Sequence, residues 1–272
     1  MSDMYSIDLA RPGSGLISGH LHMGGVNPAG EKIEANSSYL TRGGHPWLPV
    51  MGEMHYTRYP AAEWRTELLK MKMGGIQVAA TYVFWIHHEE IEGQFDWSGQ
   101  RNLREFIQTC AECGLLVYPR IGPWAHGECR NGGFPDWLLA QCGKQVRQDA
   151  PQYLTYAHRF YREIAHQLDG LLWKDGGPVI GVQIENELLN NAAHLLTLKR
   201  MACEVGLDVP LYTQTGWGPA ELTADELLPV FGGYPDTFWD RHVDTWARAS
   251  RNSSSRLTEM KTPSALTCSN RQ

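Results

Sequence analysis

Residues 177–187 read GPVIGVQIENE, and this stretch is the most informative feature of the chain. Its apolar run and β-branched residues predict a buried β-strand that follows a Gly-Pro pair and ends in two carboxylates and an amide. Alternation predicts one set of side chains for each face, Ile180, Val182 and Ile184 on one and Gln183, Glu185 and Glu187 on the other. Because unpaired buried carboxylates are costly, a strand with such a polar end suits the open mouth of a (β/α) barrel.

Strands and helical patterns alternate from residue 46 onward, which predicts a parallel sheet. The predicted strands are Leu48–Tyr56, Gln77–Trp85, Leu115–Ile121, Val179–Glu187, Val209–Thr213 and Leu228–Phe231. The predicted helices are Ala61–Met73, Arg101–Cys113, Gln152–Leu168, Ala192–Val205 and Phe238–Ala249. A closed barrel needs eight strands, so we expect an α/β fold, a (β/α)8 TIM barrel that is incomplete at its C-terminus.

The barrel is predicted to cover residues 46–249. Residues 1–45 are rich in Gly, Asn and Ser and contain short alternating stretches, which indicates a small N-terminal β element. Residues 250–272 are polar and show no regular pattern, so we expect an irregular tail.

Composition excludes several classes of partner and site. The net charge of −6 comes with no basic run, which argues against nucleic acid. No apolar run reaches transmembrane length and no signal peptide opens the chain, so we expect a cytoplasmic protein that does not enter a membrane, and an oligomer is allowed. The six cysteines are scattered, and the Cys110/Cys113 pair lies in a predicted helix without a second pair, so we expect no disulfide framework and no metal site.

Polar and aromatic groups gather at three further predicted strand ends. These are GEMHYTR (52–58), TYVFW (81–85) and RIGPWAHGE (120–128). Because the carboxyl ends of parallel strands meet on one face of a barrel, we expect these segments to converge with Asn186 and Glu187. Aromatic walls with amides and carboxylates suit a polyhydroxyl ligand, and the chain contains none of the common phosphate, nicotinamide, zinc-protease or serine-hydrolase motifs.

Each of these residues also has a structural interpretation. Glu187 could be an ion-paired or helix-capping carboxylate, and Tyr82 and Trp124 could belong to the core. We expect Glu185 to be structural, paired with Arg58 or Arg120. Adjacent side chains of an extended segment point in opposite directions, so His87-His88-Glu89-Glu90 is predicted to be a solvated loop rather than a metal cluster.

Seven collinear segments resemble the glycoside hydrolase family 35 β-galactosidases. They are GEMHYTR (52–58), LLKMKMGG (68–75), TYVFW (81–85), GQFD (93–96), GPW (122–124), GGFPDWL (132–138) and GGPVIGVQIENE (176–187). The resemblance implies a TIM barrel that hydrolyses terminal β-galactosides with retention at the anomeric carbon. It implies a β-galactoside oligosaccharide or glycoconjugate as substrate and no cofactor.

The resemblance also implies roles for single residues. Glu187 matches the general acid/base of the family, and Asn186 matches the residue beside it that contacts the sugar. Galactose-binding positions match Tyr82, Gly127 and Glu128. The family's nucleophile, a second Glu on the seventh strand, has no match here.

The only Glu after Glu226 is Glu259, and its surroundings are unlike those of the family's nucleophile. We therefore expect a truncated or frame-shifted catalytic domain that lacks strands seven and eight. Two alternatives stay open: a non-catalytic carbohydrate-binding remnant, or the same barrel acting on another β-glycoside, such as one of glucosamine or arabinose.

Overall fold

The computed structural model of the chain describes residues 15–188, 190–216 and 225–231. The predicted helix Phe238–Ala249, the predicted tail at 250–272 and Glu259 all lie outside these residues.

Short strands and amphipathic helices make up the described chain. The strands are β1 (Gly24–Val26), β2 (Lys32–Ala35), β3 (Leu40–Arg42), β4 (His45–Trp47), β5 (Met51–Glu53), β6 (Val78–Tyr82), β7 (Leu116–Gly122), β8 (Gly181–Ile184), β9 (Leu211–Gly216) and β10 (Leu228–Phe231). The α-helices are α1 (Trp64–Met73), α2 (Trp85–His88), α3 (Leu103–Glu112), α4 (Asp136–Cys142), α5 (Pro151–Leu168) and α6 (Ala192–Glu204).

Strands β5 to β10 form one six-stranded sheet in chain order, and every neighbouring pair is parallel. Helices connect β5 through β9, as the alternating pattern predicted. This is the arrangement of an incomplete (β/α)8 barrel, and that prediction is confirmed. The sequence did not predict α2 or α4, which are short elements of four and seven residues.

Local sequence explains where the helices begin. The side chain of Asn102 accepts a hydrogen bond from the Glu105 backbone N–H at the start of α3, and Asn191 does the same for α6. Helix α5 begins with Pro151, whose missing N–H costs nothing in the first turn. These signals are local in the sequence and favour helix starts at these positions.

The main core lies between the sheet and its helices. It contains Leu68 of α1, Phe106 of α3 and Phe160 of α5, all fully buried. Every residue of β6 is buried, as expected for a parallel strand covered on both faces.

A second core closes the end of the barrel at which the strands begin. The antiparallel sheet β1–β4 contributes Ile33 and Leu40, which pack against residues near the starts of barrel strands such as Val78 and Leu211. Ile180 belongs to this cluster, whereas Val182 and Ile184 belong to the main core, so the predicted common face for these three residues is wrong. With this end covered, the carboxyl ends of the strands remain as the accessible mouth.

The inner face of the sheet becomes more polar towards that mouth. A cavity of about 250 Å³ is lined by apolar side chains near the strand starts and by polar side chains near the strand ends. The polar members are Glu53, Arg120, Gln183, Thr213 and Thr215. The candidate site lies at this polar end.

Candidate active site

Asn186 is the centre of the hydrogen-bond network at the barrel mouth. Its buried Oδ1 accepts from groups on four barrel strands or their ends: Tyr82 Oη (3.0 Å), Arg120 Nη2 (2.8 Å), Gln183 Nε2 (3.1 Å) and Thr215 Oγ1 (2.7 Å). A carbonyl oxygen surrounded by donors is held in one orientation. The amide is thus fixed before any ligand arrives.

The backbone after β8 turns the two glutamates in different directions. Strand β8 ends at Ile184, and both Glu185 and Glu187 adopt positive φ, at 55° and 53°. Such backbone is uncommon for residues other than glycine, and it persists where surrounding contacts fix it. The Glu187 N–H donates to Thr215 Oγ1 at 3.1 Å. The simple alternation that would place Glu185 and Glu187 side by side does not hold.

Glu187 faces the open mouth. Its side chain is 30% exposed, and its Oε2 lies 3.4 Å from Nδ1 of the exposed His126. A carboxyl group in this position can reach both solvent and a bound ligand, as a proton-transferring group must.

Glu185 instead points into the protein, where Arg147 meets it. Its side chain is 1% exposed, and Arg147 Nη2 and Nε donate to Oε2 at 2.7 and 3.1 Å. Burial raises the pKa of Glu185, and Arg147 opposes that shift. Glu185 is structural, as expected, but its predicted partners Arg58 and Arg120 are wrong.

Arg147 also braces the segment that carries the site. Its Nη2 donates to the Asn186 carbonyl at 2.7 Å, and its guanidinium stacks over the Trp124 ring at 4.7 Å. Arg147 itself adopts a positive φ of 59°. No local sequence pattern marks this arginine as part of the site, since its partners lie about 40 residues away along the chain.

Tyr82 forms one wall of the mouth. Burial raises the pKa of its phenol well above its usual range, so the hydroxyl remains a donor to Asn186. The Arg120 guanidinium lies 3.7 Å from the centre of the ring, and Arg120 also pairs with Glu53. Arg120 also bonds Gln183 Oε1 through Nε at 2.9 Å and Asn186 Oδ1 through Nη2, so one arginine links three polar groups and the Tyr82 ring.

The loop after β7 forms the adjoining wall. It begins with a cis peptide bond between Gly122 and Pro123, and His126, Gly127 and Glu128 all have positive φ. A Cβ at Gly127 would lie 2.8 Å from the Phe84 ring, so only glycine fits that close approach.

The sequence model of glycosyl hydrolases family 35 matches residues 39–259, which include the whole of this site. The chain belongs to glycosyl hydrolases family 35.

Curated β-galactosidases of this kind align over most of the chain. The chain is 36% identical over 205 residues to the β-galactosidase of Mus musculus, an alignment that covers 74% of the chain and 32% of that protein. It is 36% identical over 190 residues to the Homo sapiens β-galactosidase (68% and 28%) and 35% identical over 194 residues to that of Xanthomonas manihotis (70% and 32%). The chain thus spans about a third of the length of these relatives.

Solved structures support the barrel fold. An endo-1,4-β-mannanase from Rhizomucor miehei matches with a TM-score of 0.53 at 11% identity, over 80% of this chain and 73% of that chain. The exo-β-1,4-mannosidase Op5Man5 from Opitutaceae bacterium strain TAV5 matches with a TM-score of 0.51 at 18% identity, over 74% and 34%. At these identities the likeness concerns the fold alone.

The structure brings together most of the residues that the family 35 resemblance assigns. Asn186 bonds Tyr82 directly, Glu187 follows Asn186, and Gly127 packs against the Tyr82 and Phe84 rings. Glu128 is exposed in the same loop, close enough to Tyr82 to act on it electrostatically. Sequence reasoning assigned no role to Arg147, Thr215 or His126, although each contacts Asn186 or Glu187.

The histidine-rich segment after β6 differs from the predicted solvated loop. Helix α2 ends at His88, and both His88 and Glu89 are buried, at 1% and 0% exposure. His88 Nε2 lies 2.6 Å from Tyr56 Oη, while Glu89 pairs with Arg159 and accepts from Trp85 Nε1 at 2.7 Å. The prediction failed because it assumed an extended backbone. The segment belongs to the core. Tyr56 is buried with it through the contact with His88, although Tyr56 follows a strand end.

One group of side chains in the described part of the chain has metal-ligand chemistry. The ligand atoms of His22, Asp225 and Glu226 lie within 4.8 Å of one another. Lys199 already pairs with Glu226, and His22 Nδ1 lies 2.8 Å from the same carboxylate, so Glu226 is already engaged by two side chains. Within the described segments, no helix combines the length and apolar composition needed to cross a membrane.

Proposed function

We propose that the site binds the terminal β-galactosyl unit of an oligosaccharide or glycoconjugate and that Glu187 is the general acid/base of retaining hydrolysis. The observation that carries this proposal is the pair at the end of the fourth barrel strand. Asn186 is buried and fixed by donors from four strands, while the next residue, Glu187, faces solvent. The names of the curated relatives support galactose as the sugar.

The proposed chemistry uses Glu187 twice. It protonates the glycosidic oxygen as the bond to the aglycone breaks, and it then takes a proton from the water that releases the sugar. Asn186 holds the sugar beside it, because its Nδ2 carries two hydrogens and only one is directed at His126. The Tyr82 ring and the Glu128 carboxylate provide the apolar and polar walls expected of a sugar pocket.

Retention requires a second carboxylate about 5–5.5 Å from the first, on the other side of the scissile bond. Glu185 is buried against Arg147, and Glu53 is paired with Arg120. We assign Glu128 to sugar binding. Glu259 is the only Glu beyond Glu226 and lacks the surroundings of a nucleophile. We therefore propose that this chain alone binds galactose and hydrolyses β-galactosides slowly or not at all.

The first test separates binding from chemistry. Isothermal titration of the 272-residue chain with galactose, glucosamine and arabinose should show that galactose binds best. Tighter binding of either other sugar would favour the same barrel acting on a different β-glycoside. Absence of binding by all three would refute the assignment of the pocket.

The second test concerns turnover of an aryl β-galactoside. Little or no release is expected. Robust turnover abolished by Glu259→Gln would make Glu259 the nucleophile and refute that part of the proposal. Binding without turnover in a protein that also carries a second carboxylate would favour the carbohydrate-binding remnant.

The third test concerns Glu187 in a version of the protein that is extended to include a second, nucleophilic carboxylate. Glu187→Gln should reduce turnover of lactose-like substrates about 10²–10⁴-fold. Activated aryl galactosides need less help from an acid, so their first step should suffer less. Glu90→Gln, a charge-matched change at an exposed position, is the control. Equal turnover of lactose by both variants would remove Glu187 from the mechanism.

A further inference from the structure

His126 contacts both residues at the centre of the site, and the proposed function gives it no role. Its Nδ1 lies 3.0 Å from Asn186 Nδ2 and 3.4 Å from Glu187 Oε2. The ring packs edge-on against Trp124 at 5.1 Å between centroids, and the backbone is held at a φ of 53°. One ring nitrogen thus faces an amide and a carboxyl at the same time.

The orientation of the Asn186 amide decides what that nitrogen can do. Arg120 has hydrogen-bond donors and no acceptor, so the atom of Asn186 that it contacts must be the oxygen. Gln183 is fixed in the same way, because its Oε1 accepts from Arg120 Nε and its Nε2 therefore faces Asn186 Oδ1. Turning the Asn186 amide over would set its NH2 group against a guanidinium. Nδ2 of Asn186 consequently faces His126.

A donor at Asn186 Nδ2 requires an acceptor at His126 Nδ1. The ring must then carry its hydrogen on Nε2 and present a lone pair at Nδ1. That lone pair also faces Glu187 Oε2. Two lone pairs repel, so the contact is attractive only when the carboxyl of Glu187 bears its proton.

We propose that His126 is a positioning residue whose single Nδ1 lone pair, kept unprotonated by the shorter hydrogen bond from Asn186 Nδ2, is shared with a longer hydrogen bond from the protonated Glu187 carboxyl. This inference rests on the proposed role of Glu187 as the acid. The bond orients the carboxyl in its proton-donating form between turnovers. An arriving glycosidic oxygen takes the place of the imidazole as the proton's acceptor.

Other charged groups surround this contact. Glu128 comes from the same loop, Glu53 and His55 from the end of β5, Arg120 from β7, and Arg58 bonds the Gly127 carbonyl. Both signs are present, so the charges around the site do not by themselves select one protonation state. The Asn186 amide supplies the directional preference.

The test is a ¹⁵N nuclear magnetic resonance measurement of the histidine rings in the 272-residue chain, and it needs no turnover. The His126 signals are assigned by their loss in His126→Asn. They should show hydrogen on Nε2 and none on Nδ1. A ring protonated at Nδ1 would overturn the proposal.

Two substitutions at Glu187 test the second contact. Glu187→Gln supplies a permanent N–H donor in place of the protonated acid, whereas Glu187→Ala supplies none. The Nδ1 resonance should therefore move towards the hydrogen-bonded value in the Gln variant relative to the Ala variant. An identical Nδ1 frequency in both would overturn the proposal, and His45→Ala, an exposed histidine of β4, controls for general effects.

A kinetic comparison links the His126–Glu187 contact to catalysis. It uses the version of the protein that includes a second, nucleophilic carboxylate. His126→Gly removes the acceptor without straining the left-handed backbone, and His126→Asn keeps an acceptor oxygen near the position of Nδ1. Lactose turnover should fall about fivefold in the Gly variant, the effect of one lost hydrogen bond, and recover in the Asn variant. Equal rates in both variants would overturn the role of His126, whereas an unaffected Glu187→Gln would overturn the proposed function itself.

Discussion

Replacing Arg147 by Met should make the stability of the protein depend on pH through Glu185. Methionine keeps much of the packing against Trp124 but removes the guanidinium that pairs with Glu185. The Glu185 carboxylate, whose side chain is 1% exposed, would keep the Asn186 N–H at 3.0 Å as a donor. Breaking a buried pair by removing one partner costs about 3–5 kcal/mol. Because Arg147 is 21% exposed, we expect about 3 kcal/mol, the lower end of that range.

The direction of the pH dependence of stability follows from the pKa of Glu185. Burial raises the pKa of this carboxyl in the folded protein, and loss of Arg147 raises it further. The folded state then holds its proton at pH values where the unfolded chain has lost it. Stability is therefore retained at low pH and falls as pH rises from the pKa of Glu185 in the unfolded chain to its higher pKa in the folded protein.

The size of the pH dependence follows from the same cycle. The deficit of the variant relative to the parent should be small below the folded-state pKa of Glu185 in the parent and should grow by about 1.4 kcal/mol per pH unit above it. A total of about 3 kcal/mol is reached roughly two units higher.

Thermal unfolding followed by circular dichroism at acid and neutral pH measures the stability deficit of Arg147→Met relative to the parent. Near neutral pH, Arg147→Met should lower the melting temperature by roughly 6–12 °C, with a much smaller deficit at acid pH. Arg130→Met, which breaks an exposed pair with Asp136, should cost about 1 kcal/mol or less at either pH. Adding Glu185→Gln to Arg147→Met should remove the pH dependence. A deficit of equal size at both pH values would refute the reasoning.

A glycine substitution and a thiol reagent test two further features of the structure. Gly132→Ala should destabilise the protein and weaken galactose binding, because a Cβ there would lie 2.4 Å from the Trp124 ring. Gly170 has a similar positive φ but open space around it, so Gly170→Ala carries the same backbone strain without the clash. The difference between the melting temperatures of the two variants therefore measures the clash alone. Equal decreases in melting temperature would contradict it. A thiol reagent should label the exposed Cys203 rapidly and Cys110 only on unfolding, since burial raises the pKa of the Cys110 thiol well above its usual range and also blocks access. Rapid labelling of Cys110 in the folded protein, followed by mass spectrometry of peptides, would show that α3 opens.

The regular elements could be predicted because their signals are local. Apolar runs located the six barrel strands of the described chain, and helical spacing located the longer helices between them. Strand ends were less well predicted. The strand expected to run to Glu187 stops at Ile184, because nothing in the residue types announces that Glu185 leaves extended geometry.

Pairing between distant polar groups could not be predicted. Glu185 was expected to be structural, and burial bears this out, but the sequence suggested Arg58 or Arg120 as its partner. Only the fold places Arg147 beside it. The segment from His87 to Glu90 was predicted to be a solvated loop on the assumption of an extended backbone. Instead, Trp85, Tyr56 and Arg159 supply the partners that allow His88 and Glu89 to be buried.

The barrel class, the family and the position of Asn186-Glu187 near a strand end could all be assigned from the sequence alone. These depend on periodicity and on collinear motifs, which are properties of neighbours along the chain. Tertiary structure decided which atoms meet: four donors on Asn186 Oδ1, Arg147 on Glu185, and His126 on Glu187. Such contacts join residues tens of positions apart, and hydrogen bonds depend on distances and angles that exist only once parallel strands and their loops have been brought to one face of the barrel.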